Sequence, residues 1–294
     1  MTPRTTGIVL LLLTSLGWGA TWPLLKFLLS EFAPMTLRAV GALCTALLFA
    51  AAALAFGVSL AVPRRQWRWL VLYSLLNVST WMGLGTVALL WLSASEGAIL
   101  AYTMPVWAAL FAWPILGEKP GRARMVGLVL GCGSIGMLFV GRGVDVGLAK
   151  LPGMALVLAS AVLFALGAVL SKRRPLNLHP VSAVAWQMAI GCVPLLLLAP
   201  LLGSTDVSAV SPRAWFWFGW MVLFSLGLSY LTWFGALARL PASTAALGTL
   251  LAPVLSVIGA AIVLGEPLGM REWLALSGTV AAVAFAVGSR DKAA

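Results

Sequence analysis

Aromatic and neutral polar side chains recur at helical spacing inside the most apolar parts of this 294-residue chain. Trp18 and Trp22 lie four residues apart, as do Asn77 and Trp81, so each pair would share one face of a helix. Rings in such a set can stack on a ring-bearing ligand or hold an ammonium group over a ring face. We therefore predict a small-molecule cavity lined by Trp18, Thr21, Trp22, Asn77, Trp81, Tyr102, Trp186, Gln187, Ser229 and Trp233. The alternative for any single member is a hydrogen bond or ring contact that joins two helices.

Ionisable side chains are almost absent from these apolar parts. The eight acids and the one histidine, His179, all fall at the ends of apolar stretches or between them. Lys26 and Arg38 are the basic residues within the stretches, and both lie toward one end. Long basic side chains near a membrane boundary usually extend their charge to the lipid headgroups. The sharper alternative is that Arg38 attracts the carboxylate of a ligand in the outer half of the cavity.

Composition indicates that lipid surrounds the helices that carry these residues. Hydrophobic residues make up 62% of the chain, charged residues only 9%, and the mean hydropathy is +1.03. A bilayer crossing takes about 20 apolar residues, and continuous stretches of that length exclude a β-barrel. Turn and charge signals divide the chain into ten such spans, at 6–28, 34–56, 67–91, 95–116, 122–140, 151–171, 181–201, 213–238, 243–264 and 270–288. The sequence therefore predicts an all-α integral membrane protein with ten transmembrane helices.

The positive charges predict the orientation in the membrane. The net charge of +11 is spread over short clusters between spans, without the basic face that nucleic-acid binding needs. With the N-terminus in the cytoplasm, thirteen of the 19 Lys and Arg fall on the cytoplasmic side. The opposite side holds four, which are Arg142, Lys150, Arg213 and Arg271. We therefore expect both termini in the cytoplasm.

An internal repeat divides the chain into halves, residues 1–145 and 146–294, with five spans each. A shift of 148 residues superimposes 88–118 on 236–266 with twelve identities in 31 positions, including the pair Pro105 and Pro253 and the Leu-Gly-Glu that ends each segment. Because five is odd, the halves must cross the membrane in opposite directions, as in inverted-repeat transporters. Pro105 and Pro253 lie near the centres of spans four and nine, where we expect helix kinks that serve in gating.

Chemistry other than binding has little support in the sequence. The three cysteines lie inside apolar stretches without metal-ligand spacing, and no His, Asp and Glu cluster suggests catalysis. We therefore expect no metal, no cofactor and no catalytic residue. An integral membrane enzyme and a non-transporting scaffold are the distant alternatives.

The segments Trp18-Gly19, ALLWLSASEGAIL at 88–100, PVWAALFAWPILGEKP from 105 and PVLSVIGAAIVLGEPL from 253 resemble the drug/metabolite transporter superfamily. Within it, the chain is most similar to the ten-helix EamA-type members, over its whole length. The resemblance implies a 5+5 inverted-topology repeat in a bacterial inner membrane and the export of a small metabolite, commonly an amino acid. YddG-type exporters of aromatic amino acids form one branch of the superfamily, and no motif here singles out that branch.

Within transport, the residues favour a neutral or aromatic amino acid as the substrate. Multidrug or quaternary-ammonium efflux is the main alternative, although a cationic drug would favour a midplane carboxylate, which the sequence lacks. Nucleotide-sugar transport is a further alternative, but it would need several buried basic residues for the phosphates. Because no titratable side chain at the membrane midplane could carry a proton, we expect an uncoupled facilitator. Coupling through Glu31 or Glu96 is the alternative. Glycines in span five (Gly127, Gly131, Gly136) and small residues in span ten (Gly278, Ala282) predict close packing within a monomer or across a weak homodimer.

The inverted repeat can be tested by labelling from the two sides of the membrane. Lys119→Cys should react with an impermeant maleimide only from the cytoplasm and Arg271→Cys only from outside, because an odd number of spans separates them. The parent protein controls for the native cysteines. Reaction of both positions from one common side would contradict the inverted repeat.

Overall fold

The computed structural model describes residues 2–119, 148–249 and 251–264, with isolated residues or pairs between 125 and 133 and between 269 and 281. These residues form helices joined by short turns, and none of them forms a strand. By length and composition, six helical stretches could cross a bilayer: Pro3–Leu28, Pro34–Ala55, Arg64–Ala88, Leu151–Arg173, Pro180–Leu202 and Pro212–Arg239. Each matches one predicted span to within a few residues, so the all-α membrane architecture is confirmed.

Twelve α-helices are numbered here in chain order over the described ranges. They are α1 Pro3–Leu28, α2 Pro34–Ala55, α3 Trp67–Ser74, α4 Thr80–Ala88, α5 Ala94–Ala101, α6 Met104–Leu116, α7 Leu151–Arg173, α8 Pro180–Leu198, α9 Pro212–Trp220, α10 Ser229–Arg239, α11 Ala242–Gly248 and α12 Leu251–Leu264. The third span consists of α3 and α4 with a π-helical segment between them, and the eighth consists of α9 and α10 in the same way.

Local sequence signals explain where the helices begin and end. Proline occupies the first turn of α1, α2, α7, α8 and α9, where its missing N–H leaves no bond unmade. Ser93 and Glu96 form a capping box at the start of α5. Gly117 ends α6 with φ at 75°, a left-handed conformation that favours glycine.

Spans four and nine are interrupted rather than kinked, which corrects the expectation for Pro105 and Pro253. Span four stops at Ala101 and resumes as α6, in which Pro105 is the second residue. Span nine stops with α11 and resumes as α12, in which Pro253 is the third residue. Proline has no N–H to donate to the preceding turn, whereas the first turn of a new helix needs no such bond, so each span breaks just ahead of its proline.

The two π-helical segments occupy equivalent places in the repeat. They span Leu75–Ser79 and Met221–Leu228, and the 148-residue shift carries the first to 223–227, inside the second. Wider π turns change which side chains face the bundle interior, and they occur frequently at functional sites. Hydrophobic periodicity did not predict them, because the residues are as apolar as their α-helical neighbours.

Contacts between helix ends define two faces of the bundle. Near the start of α1, Gly7 lies directly against Leu240, which follows α10. Near the end of α1, the Lys26 ammonium donates to the Leu89 carbonyl just after α4, at 2.8 Å. We call the first the N-terminal face and the second the opposite face.

The first helix of the second half runs in the opposite direction to α1. Near its start, Gly153 lies against the Ala88 carbonyl on the opposite face. Near its end, Lys172 donates to the Leu240 carbonyl on the N-terminal face. The equivalent helices of the two halves are therefore antiparallel, as the inverted repeat requires.

Some predicted features lie outside the described residues. These are most of the spans predicted at 122–140 and 270–288, together with Glu266, Gly127, Gly131, Gly136 and Ala282.

The close approach of α1 and α12 gives a prediction about stability. A Cβ at Gly19 would lie 2.9 Å from the Ala252 carbonyl oxygen, whereas at Gly219 it would meet nothing within 4 Å. Gly19→Ala should therefore destabilise the protein by about 1–3 kcal/mol through overpacking. Gly219→Ala should leave stability unchanged or raise it, because alanine favours helix. Thermal unfolding of the detergent-purified variants measures both, and equal melting temperatures would contradict the packing.

Candidate functional site

Five aromatic rings from four helices meet inside the bundle, and we call them the aromatic cluster. They belong to Trp18, Trp81, Phe164, Tyr230 and Trp233. The Trp18 ring lies 5.4–6.3 Å from each of the other four, centroid to centroid. Phe164 lies 4.8 Å from Trp81 and 5.8 Å from Trp233. Tilted and edge-on rings at these distances form one contiguous group of packed aromatic side chains.

The aromatic cluster is buried but leaves polar atoms without partners. Trp18 is 4% exposed, Phe164 and Trp233 are fully buried, and Trp81 is partly exposed. Within the described part of the chain, the indole N–H groups of Trp18 and Trp233 find no hydrogen-bond acceptor. Buried donors almost always have partners, so these two indicate a place where a ligand or water bonds.

Asn77 lies beside the aromatic cluster in the first π-helical segment. Its backbone carbonyl accepts a hydrogen bond of 2.9 Å from the Tyr230 hydroxyl. Its side chain is fully buried, and neither amide atom bonds to any described residue. The amide oxygen lies directly against Gly167, three residues along α7 from the cluster's Phe164, where a larger residue would collide with it.

Arg38 is a buried cation without a carboxylate partner among the described residues. It is 5% exposed, and its Nε donates to the Thr86 hydroxyl at 2.7 Å. A guanidinium nitrogen lies 4.0 Å from the Met221 sulfur. Arg38 therefore does not extend to the lipid headgroups, which corrects the more ordinary expectation. Its burial inside the bundle keeps the carboxylate-binding alternative open.

Lys26 has a structural role instead. Its ammonium donates to the carbonyls of Leu89 and Leu92, at 2.8 and 3.2 Å. These carbonyls follow the last turn of α4 and have no partner within that helix. Lys26 therefore satisfies the last carbonyls of a helix end. Arg38, by contrast, has the Thr86 hydroxyl as its one oxygen acceptor among the described residues.

Trp22, Tyr102 and Thr21 form a second group near α5. The Trp22 ring packs against Gly97, and the buried Tyr102 lies at the interruption between α5 and α6, where its hydroxyl has no hydrogen-bond partner among the described residues. Thr21 donates to the Gly17 carbonyl of its own helix at 2.9 Å. The interrupted helix therefore adjoins the face of α1 that carries Trp22, one turn from Trp18.

Two predicted lining residues have other surroundings. The Trp186 indole donates to the Leu60 carbonyl at 2.8 Å, and its ring contacts Trp67 at 5.1 Å, so it fastens the loop after α2 at the N-terminal face. Ser229 donates to the Phe224 carbonyl and packs against Gly17, as a helix contact would. Gln187 is buried on α8, and its side-chain oxygen bonds to no described residue.

Sequence reasoning missed two members of the aromatic cluster. Tyr230 lies three residues before Trp233 and thus on the same face of α10, a spacing that could have identified it. Phe164 lies in an apolar stretch whose one polar residue, Ser160, is four residues earlier on the same face of α7, a spacing that could have marked this face as interior.

The described acids bind backbone, serine or lysine groups at helix ends and in loops. Glu31 accepts from the Ser211 backbone and hydroxyl, Glu96 pairs with Lys150 at 2.7 Å, and Glu118 accepts from the Ala242 backbone. None of these contacts joins the aromatic cluster, and no group of three or more His, Cys, Asp or Glu in the described ranges could hold a metal.

A multi-pass helical bundle with interrupted helices around a buried aromatic cluster is an architecture that membrane transporters use. The profile of the EamA-like transporter family matches this chain twice, over residues 5–140 and 151–288. The chain therefore belongs to the EamA-like transporter family, and its two matches fit a ten-helix protein built from two repeats. The resemblance in the sequence is confirmed at the level of the family.

Relatives and a solved structure agree with this assignment. The uncharacterized transporter YvbV of Bacillus subtilis (strain 168) is 30% identical over 276 residues, which cover 90% of this chain and 86% of the relative. The uncharacterized transporter YoaV of the same strain is 25% identical over 250 residues, or 83% of each chain. A crystal structure with 22% identity shares the fold, with a TM-score of 0.79 over 96% of both chains. The names of these relatives specify no substrate and do not single out the YddG-type branch.

The contrast between Arg38 and Lys26 gives a second stability prediction. Arg38→Met should leave the melting temperature unchanged or raise it, because removing a buried charge without an ionic partner relieves its desolvation. Lys26→Met should lower it, because two helix-end carbonyls lose their donor. Both variants replace a long basic side chain by an apolar one, so each controls for the other. A larger loss for Arg38→Met would mean that Arg38 mainly stabilises the fold.

Proposed function

We propose that this protein exports neutral amino acids, above all aromatic ones, across the inner membrane of a bacterium. The observation that carries the proposal is the buried Arg38, which has no carboxylate partner among the described residues. The carboxylate of a permeant amino acid would neutralise the charge of Arg38, and the ring of the same molecule would pack on the aromatic cluster. The amino group would lie over an indole face, as ammonium groups do in aromatic cages.

The same observation argues against the main rival. An aromatic cluster alone would also suit a quaternary ammonium ion. Arg38 opposes it, because a like charge nearby in a medium of low dielectric is unfavourable. Multidrug or quaternary-ammonium efflux is therefore the second candidate, and it is included in the test below.

Alternating access would use the paired irregularities of the two halves. Interruptions in spans four and nine and π-helical segments in spans three and eight supply equivalent flexible positions on either side of the aromatic cluster. We propose that Pro105 and Pro253 keep these interruptions open while the halves rock. The N-terminal face would be cytoplasmic, in accordance with the distribution of positive charge.

Transport would proceed down the concentration gradient without a coupled ion. Among the described residues, the carboxylates lie at helix ends or loops, where Glu31, Glu96 and Glu118 bind backbone or lysine. A proton carrier that works near neutral pH would be a carboxylate or a histidine that the permeant can reach, and the aromatic cluster contains neither.

Counterflow in liposomes tests the transport proposal. Purified protein is reconstituted with unlabelled L-phenylalanine inside, and entry of labelled amino acids or tetraethylammonium is measured from outside. We expect counterflow of phenylalanine and other neutral amino acids that an imposed proton gradient and membrane voltage leave unchanged. Entry of tetraethylammonium alone would favour the rival, and stimulation by the proton gradient would contradict uncoupled transport.

Trp81 gives a prediction about the cluster itself. Trp81→Ala should lower the rate of phenylalanine counterflow by about two- to tenfold, because one ring contact contributes about 0.5–1.5 kcal/mol beyond area burial. Trp113 on α6 is 54% exposed on the outside of the bundle, so Trp113→Ala is the matched control and should transport normally. Equal rates for both variants would remove Trp81 from the site.

A further inference from the structure

Asn77 has the one buried side-chain amide in the described ranges of which neither atom has a partner. The indole nitrogens of Trp18 and Trp233 can only donate, whereas an amide supplies one acceptor and two donor hydrogens. A fully buried amide left unbonded is expensive, so its position calls for a ligand that carries both a donor and an acceptor.

The surroundings of Asn77 fix its backbone and hold its amide against α7. The π-helical segment carries it into the bundle, and the Tyr230 hydroxyl holds its backbone carbonyl at 2.9 Å. On α7, Gly167 provides room for the amide oxygen, and Phe164 lies one turn away in the aromatic cluster. The amide therefore lies in the space that Gly167 leaves on α7, one helical turn from the cluster, without a hydrogen-bond partner there.

A zwitterion would need a partner for each of its two charged groups. Arg38 is a buried cation whose guanidinium contacts Thr86 and Met221. No described carboxylate bonds to the aromatic cluster. The Asn77 oxygen is a buried acceptor without a partner among the described residues, and Tyr230 of the cluster bonds to the backbone of the same residue.

We propose that Asn77 is a specificity-determining residue whose amide recognises the α-ammonium group and thereby selects α-amino acids over carboxylates that lack it. This inference rests on the proposed function and adds to it the group that the protein distinguishes. Arg38 would bind any carboxylate that reaches it. Asn77 would add the bond that only the amino acid can form.

Three ligands with the same ring separate the two ends of the molecule. L-phenylalanine carries both groups, 3-phenylpropanoate lacks the ammonium, and phenethylamine lacks the carboxylate. Binding to the full-length protein in nanodiscs is measured by titration calorimetry. We expect wild type to bind L-phenylalanine about tenfold more tightly than 3-phenylpropanoate, as one buried hydrogen bond to a charged group would give.

Substitutions then assign that difference to Asn77. In Asn77→Leu the tenfold ratio should fall to about one, and in Asn77→Asp phenethylamine should bind about tenfold more tightly than to wild type, because a carboxylate pairs with the ammonium. Ser79→Ala is the matched control in the same π-helical segment. Its hydroxyl donates to the Gly191 carbonyl at 2.8 Å, and its ratio should stay at the wild-type value.

The outcomes distinguish this inference from the proposed function. If wild type binds L-phenylalanine and Asn77→Leu keeps the wild-type ratio, the role of Asn77 is wrong and amino-acid transport stands. Should Asn77→Leu fail to fold, an unchanged affinity of Asn77→Asp for phenethylamine overturns the role in the same way. If wild type binds none of the three ligands, the amino-acid proposal itself is overturned, and the role of Asn77 with it.

Discussion

A polar group buried in the hydrocarbon layer has no water to bond with, and this constraint organises the helix bundle. Hydroxyl groups inside the spans meet it within their own helices. Thr14, Ser15 and Thr45 each donate to the carbonyl four residues earlier, at 2.9 Å. Among the described residues the exceptions are few, and several of them lie in or next to the aromatic cluster: the Asn77 amide and the indole N–H groups of Trp18 and Trp233.

The same constraint explains why the irregular backbone lies where it does. A helix that is interrupted or widened leaves carbonyl and N–H groups unpaired, which lipid does not tolerate but a protein interior does. The interruptions and the π-helical segments occur in spans three, four, eight and nine, and the third and eighth spans supply Trp81, Tyr230 and Trp233 to the aromatic cluster. The duplicated unit thus places equivalent irregular segments in both halves of the bundle.

The spans were predictable because hydropathy and turn residues reflect the bilayer directly. The second span was predicted at 34–56 and forms Pro34–Ala55, and the eighth was predicted at 213–238 and forms Pro212–Arg239. Side-chain direction was predictable only where the helix is regular. Spacing placed Trp18 and Trp233 on interior faces of two different helices, and the contact between their rings is a tertiary contact that spacing could not predict. Trp186 differs from the expectation, because its indole bonds to the loop after α2. The burial of Arg38 depended on Thr86 and Met221, which are distant in sequence.

The account rests on one claim, that the permeant lies on the aromatic cluster with its carboxylate toward Arg38. A crystal structure of the protein with 4-bromo-L-phenylalanine, recorded at the bromine absorption edge, tests this claim most directly. The account predicts an anomalous peak among the rings of Trp18, Trp81 and Phe164, with the ligand carboxylate within hydrogen-bond distance of Arg38. A bromine peak at the lipid-facing surface, or at the cluster with the carboxylate pointing away from Arg38, would contradict it.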